Sequence, residues 1–119
     1  MNVTTKTKLL SEVESFLSRG EFPAFVGGRD LASSSGQLIP TIDPGSGVKI
    51  ADIHDLEPEQ IDQAVEVANA AFPDWADLTQ PERSVILLKL ADAVEERKEI
   101  IAQIESLEAG KIEAQAQGD

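Results

Sequence analysis

Cysteine is absent from this 119-residue chain. That absence excludes disulfides, thiolate zinc sites and a thiol nucleophile together. It is compatible with a reducing compartment, and a cytoplasmic location is the expectation. Tyrosine is missing too. Phe16, Phe22, Phe25, Phe72 and Trp75 are the whole aromatic set. Any core must come mainly from Ile, Leu, Val and Ala. Basic residues are scarce: 10 Lys and Arg stand against 22 Asp and Glu, a net charge of −12. A field of that sign repels phosphate, which predicts no nucleic-acid partner and no anionic membrane surface. No apolar run approaches the roughly 18 residues of a membrane span. The start of the chain has no secretory apolar core. It is also too acidic for a mitochondrial presequence, with Glu12 and Glu14 against Arg19.

What is present fits one domain or less. Apolar residues make up 41 %. In "TKTKLLSEVESFLSRG", Leu9, Leu10, Val13, Phe16 and Leu17 fall at helical spacing and Gly20 is a stop. This predicts a first helix over 7–19. From Phe22 the texture turns to Gly, Pro and Ser. Short runs at Ala24–Val26, Gln37–Ile42 and Val48–Ile53 read as three strands of an antiparallel ribbon or meander, with Gly27-Gly28 and Ser33–Gly36 as turns.

From Pro58 the period becomes helical. Ile61, Val65, Ala68 and Phe72 form a stripe, and Pro73 is expected to end that helix at Phe72 or just before. Thr79-Gln80-Pro81-Glu82 is a capping box. The next helix carries Leu87, Leu90, Ala91 and Val94. The charged "EERKE" then leaves two options, one long helix or a break near Arg97. Ile101, Ile104 and Leu107 resume the stripe, and Gly110 is placed as a C-terminal cap. "KIEAQAQGD" reads as the start of a further helix. The fold class is an α+β segment: an N-terminal helix, short antiparallel strands, then two or three helices.

The loop Asp43-Pro44-Gly45-Ser46-Gly47-Val48-Lys49 superficially resembles a phosphate cradle. A P-loop needs a Gly-Lys pair, a following Ser or Thr, and then a helix. Here Val48 splits the pair and a strand-like run follows, so the loop is expected to be a tight turn. His54 is the only histidine, and its expected role is structural. Asp52, Asp55 and Glu57 beside it are a loose candidate cation cluster without EF-hand spacing. Glu105, Glu108 and Lys111 read as a solvated ion-pair face. No residue pattern here supplies covalent or acid–base catalysis.

Four segments in order carry a resemblance. "FVGGRDLASSSGQLIPTIDPGSGVKIADI" resembles a Gly-Gly hairpin leading to an Asn-Pro-x-x-Gly turn, with Asp43 in the Asn place. "IDQAVEVANAAFPDW", "PERSVILLKLADAVEER" and "ESLEAGK" resemble the helices and the Gly-Lys segment that follow. Together they resemble the N-terminal region of the NAD(P)-dependent aldehyde dehydrogenase superfamily, over about residues 22–119. The resemblance implies an extension helix at 1–21 and an incomplete N-terminal segment, 22–119, of an α/β Rossmann-type cofactor domain. In such a parent, a Cys attacks an aldehyde, hydride passes to NAD or NADP, and a Glu activates water to release the acid. The resemblance places that Cys, that Glu and the cofactor glycines after these segments. No catalytic or cofactor-binding residue is therefore assigned here. The family is enzymatic, but the chain alone is expected to be inactive, as a truncated portion. A monovalent cation, K+ or Na+, is also implied. Its ligands by position are the carbonyls of Thr41 and Ile42 and the carboxylate of Glu108. The parent family is homo-oligomeric. The alternative reading is a non-enzymatic module whose exposed apolar helix faces bind a homologue or a second copy.

Overall fold

A computed structural model describes residues 8–119. The elements in chain order are α1 (Ser11–Leu17), β1 (Glu21–Phe22), β2 (Ala24–Val26), β3 (Arg29–Leu31), β4 (Leu38–Ile42) and β5 (Lys49–His54). Four helices follow: α2 (Pro58–Ala76), α3 (Gln80–Glu96), α4 (Lys98–Ala109) and α5 (Glu113–Ala116). The fold is the expected α+β segment. The expected first helix is found from Ser11; position 7, its expected start, lies outside the described residues.

The strands differ in detail from the three-strand ribbon. β2 and β3 form a separate antiparallel hairpin with Phe25 opposite Asp30. Its turn is Gly27-Gly28, both at positive φ (60° and 81°), the pair of angles that a two-residue hairpin turn requires. A Cβ on Gly27 would lie 3.1 Å from Val67 Cγ1, so this turn also sits close against α2. The other sheet has the order β1-β5-β4. β4 and β5 are antiparallel, with Ile39 opposite Ile53 and an irregularity between Thr41 and Ile42. β1 is parallel to β5, with Glu21 opposite Asp52. The Asp52 N–H donates to the Gly20 carbonyl at 2.8 Å and extends this pairing. The sheet is thus mixed. β1 joins it from thirty residues upstream, a separation that no local pattern reports.

The helices start and stop largely where their signals lie. In α3 the Glu82 carboxylate accepts both the N–H (2.8 Å) and the hydroxyl (2.6 Å) of Thr79. The helix breaks at Arg97, which resolves the two options. Gly110 caps α4 in the left-handed conformation, φ 70°. Pro73 overturns one expectation: α2 runs through it to Ala76. Proline costs the Asn69 carbonyl its intrahelical donor. Asn69 is exposed, so water can replace that donor, and Asp77 N–H still reaches the Pro73 carbonyl at 2.9 Å.

Among the described residues the buried apolar set is small: Val13, Ala51, Ala102 and Ala116. Val13 belongs to the docking of α1 on α4. There Gln103, itself buried, accepts the Leu10 N–H at 2.6 Å and donates to the Lys8 carbonyl at 3.4 Å. Neither α2 nor α3 has a buried residue. Phe72 is 64 % exposed and Leu88 65 %. The radius of gyration is 17.8 Å, against about 13.5 Å for a compact domain of this length. The sheet with α1, α4 and α5 holds the little core there is, and α2 and α3 extend from it.

Candidate functional site

The candidate site is the corner where β4 ends, the turn to β5 begins and α4 stops. Asp43 organises the turn. Its carboxylate accepts the Gly45 N–H at 2.8 Å and the Ser46 hydroxyl at 2.6 Å. Its carbonyl accepts the Gly47 N–H at 2.8 Å, and its own N–H donates to Val48 at 2.9 Å. Gly47 takes φ 72°. The Ser46 hydroxyl and the Gly45 N–H hold the Asp43 carboxyl below its ordinary value. The loop is therefore a self-bonded turn between two strands, as expected, and its Gly45 and Gly47 amides are committed to Asp43 rather than to a phosphate.

The turn touches the far end of α4. A Cβ added to Gly110 would lie 2.9 Å from Pro44 Cγ. Beside this contact, the Thr41 hydroxyl donates to Glu108 Oε1 at 3.3 Å, across 67 residues. Two of the three proposed ligand residues are thus brought together. Ile42 follows at the end of the same strand, opposite Lys49. The Thr41–Glu108 contact runs through the Thr41 hydroxyl, whereas the ligand expected of that residue is its carbonyl.

Other sequence candidates have different roles. His54 ties the serine loop to the sheet: its Nδ1 accepts the Ser33 N–H at 3.1 Å, while Nε2 lies 3.6 Å from Glu21. Asp52 is held by Lys49 Nζ at 2.7 Å. Among the described residues no three His, Cys, Asp or Glu side chains converge on a metal position, so Asp52, Asp55 and Glu57 do not form the loose cluster. Lys111 pairs with Glu105 at 2.9 Å and also with Asp119. Glu108 has turned away from that face to Thr41.

Sequence reasoning passed over two glutamines and one contact. Gln60 accepts the Ser34 N–H at 2.9 Å and donates to the Ala32 carbonyl at 2.8 Å, fixing the serine loop on α2. Gln103 clamps α1. Each sits on a helix as an ordinary polar residue, and nothing local marks its distant partner. The Pro44–Gly110 contact was hidden because each residue already had a sufficient local reason, a turn and a cap.

This order of hairpin, Asp43 turn and capped helices has counterparts of known kind. The aldehyde dehydrogenase family profile matches residues 31–119. The chain belongs to the aldehyde dehydrogenase family. It is 40 % identical over 87 residues to 2-aminomuconic semialdehyde dehydrogenase from Bos taurus, covering 73 % of this chain and 18 % of that protein. It is 38 % identical over 87 residues to betaine aldehyde dehydrogenase from Cereibacter sphaeroides, again covering 73 % and 18 %. The NAD+ complex of an aldehyde dehydrogenase from Bacillus cereus superposes with a TM-score of 0.86 at 35 % identity. That superposition covers 94 % of this chain and 23 % of the other. It takes in more than the span from 22 to 119, so it extends into the segment before residue 22. This chain spans about a fifth of the length of the relatives it matches.

Proposed function

We propose that this chain is the N-terminal strand-and-helix portion of an NAD(P)-dependent aldehyde dehydrogenase, and that alone it neither holds the nucleotide nor oxidises aldehydes. One observation carries the reading. The family match runs over residues 31–119, yet this length is about a fifth of the relatives and contains no cysteine to attack a carbonyl. In a parent, NAD or NADP would accept hydride as aldehyde becomes acid. The residues described here would supply scaffold to that reaction. Residues 1–21 are read as an extension and 22–119 as the family segment. The parent is read as a cytoplasmic homo-oligomer with no nucleic-acid or membrane partner.

The corner is proposed to hold K+ or Na+, through the carbonyls of Thr41 and Ile42 and the Glu108 carboxylate. The Thr41–Glu108 approach at 3.3 Å supports this. Glu108 already accepts a hydroxyl there, so a bound cation would draw on its remaining lone pairs. A weakly hydrated monovalent ion asks less of such a shell than a divalent one.

Calorimetric titration of the purified chain with NAD+ and NADP+ tests the reading. We expect no saturable heat with either; a saturable isotherm overturns it. The second reading, an interaction module, is favoured by the exposed apolar faces of α2 and α3. Size-exclusion chromatography and a pull-down with a full-length family member decide it. A monomer that captures nothing removes that reading.

A further inference from the structure

We infer that Pro44 and Gly110 form a steric joint that sets the distance between Thr41 and Glu108. What the pair holds rests on the cation reading above; that the joint positions the pair does not.

The Asp43 turn makes Pro44 one end of a rigid piece. Four hydrogen bonds to Asp43 atoms fix the loop, and the pyrrolidine ring has no rotamer to escape into. Gly110 makes the other end rigid. It is the left-handed cap of α4, with its N–H on the Ser106 carbonyl at 3.0 Å. The Ser106 hydroxyl also donates to the Lys111 carbonyl at 2.5 Å, closing the helix end on itself. The two rigid ends meet with no room for a methyl: the nearest Pro44 carbon would be 2.9 Å from a Cβ. Thr41 lies three residues before Pro44 on β4, and Glu108 two before Gly110 on α4. Both are therefore short, stiff distances from the joint. Their hydroxyl–carboxylate contact is long at 3.3 Å and exposed. Such a bond contributes little by itself and cannot draw two elements together. The close approach of Gly110 to Pro44 instead limits how the strand end and the helix end can sit against each other. Adding a methyl at residue 110 must push the strand end from the helix end, or force the cap out of its left-handed turn.

The absence of cysteine allows a direct proximity test in the full chain. Thr41→Cys and Glu108→Cys are introduced together, and the rate of bridging by a short bis-thiosulfonate reagent is measured. A control pair, Ala24→Cys with Leu31→Cys, sits at paired positions across the β2–β3 hairpin. We expect Gly110→Ala to slow bridging of the 41–108 pair by about tenfold, the scale of a strained left-handed residue, and to leave the hairpin pair unchanged. Adding Pro44→Ala removes the ring carbon that clashes and should restore the part of the rate lost to the clash, while the left-handed strain at residue 110 remains. Gly118→Ala, whose Cβ would meet nothing closer than 3.4 Å, should have no effect. Unchanged bridging in Gly110→Ala overturns the joint. Failure of Pro44→Ala to rescue, or equal loss at the hairpin pair, also overturns it. A 41–108 pair that does not bridge even with Gly110 intact contradicts the geometry outright. The cation reading has a separate readout, protection of the Thr41 amide by K+ or Na+ in the unmodified chain. Either conclusion can fail while the other stands.

Discussion

Asp43 holds its turn by accepting two donors on one exposed carboxylate. Those bonds favour the charged form, so its folded pKa lies below the ordinary 3.8. A depressed carboxyl contributes stability that is fully present above the unfolded value and is lost as pH falls through the folded one. Protection of the Gly45 amide should therefore persist at neutral pH and fade only as the pH falls below the ordinary carboxylate value, through the depressed folded one. Asp43→Asn should weaken that protection at neutral pH and flatten its acid dependence. Identical profiles for the two proteins would contradict the assignment. Gly27 allows a second residue-scale prediction. It combines φ 60° with a Cβ position 3.1 Å from Val67 Cγ1. Gly27→Ala should destabilise the β2–β3 hairpin by about 1–3 kcal/mol, read from its amide exchange. Gly28, with the same sign of φ and open space around it, separates the two costs: Gly28→Ala carries the strain alone.

At the scale of elements, most helix ends and the strands β2, β4 and β5 were written into the sequence, and β1 and β3 were not. The Thr79–Glu82 box, the break at Arg97 and the Gly110 cap depend on residues within a turn of one another. β1 and β3 are two and three residues long. Strands that short carry no periodicity, and β1 exists only because β5 offers it a parallel edge. The Pro73 expectation failed for a physical reason. A proline near a helix end loses one hydrogen bond, and at an exposed turn water can take its place. The corner site was half legible. The approach of Thr41 to Glu108 fits the proximity that the resemblance implied, whereas the Pro44–Gly110 contact joins residues too far apart in sequence for any local pattern to report. Two predictions belong here. Glu82→Ala removes the acceptor of both Thr79 donors and should cost α3 about 1 kcal/mol, seen as reduced helicity by circular dichroism. Gln103→Leu removes the partner of the half-buried Leu10 N–H and of the Lys8 carbonyl. It should release α1, raising its amide exchange while the β4–β5 ladder keeps its protection. Unchanged α1 exchange would show that Val13 packing alone suffices.

As a whole molecule, the chain has a thin core and two helices without a buried residue. Apolar surface on α2 and α3 includes Ile61, Val65, Phe72, Leu87 and Val94, each about half exposed or more. A chain that spans about a fifth of the length of its family relatives and buries few residues leaves such faces open. The chemistry follows the same division. The described residues build turns, caps and the Thr41–Glu108 corner, and none supplies a thiol. The most direct test is catalytic: purified 119-residue protein, NAD+ or NADP+, and a panel of aliphatic and aromatic aldehydes, with reduced nucleotide followed by absorbance. The account predicts no NADH or NADPH above the protein-free rate. Sustained, enzyme-proportional formation of either would contradict it.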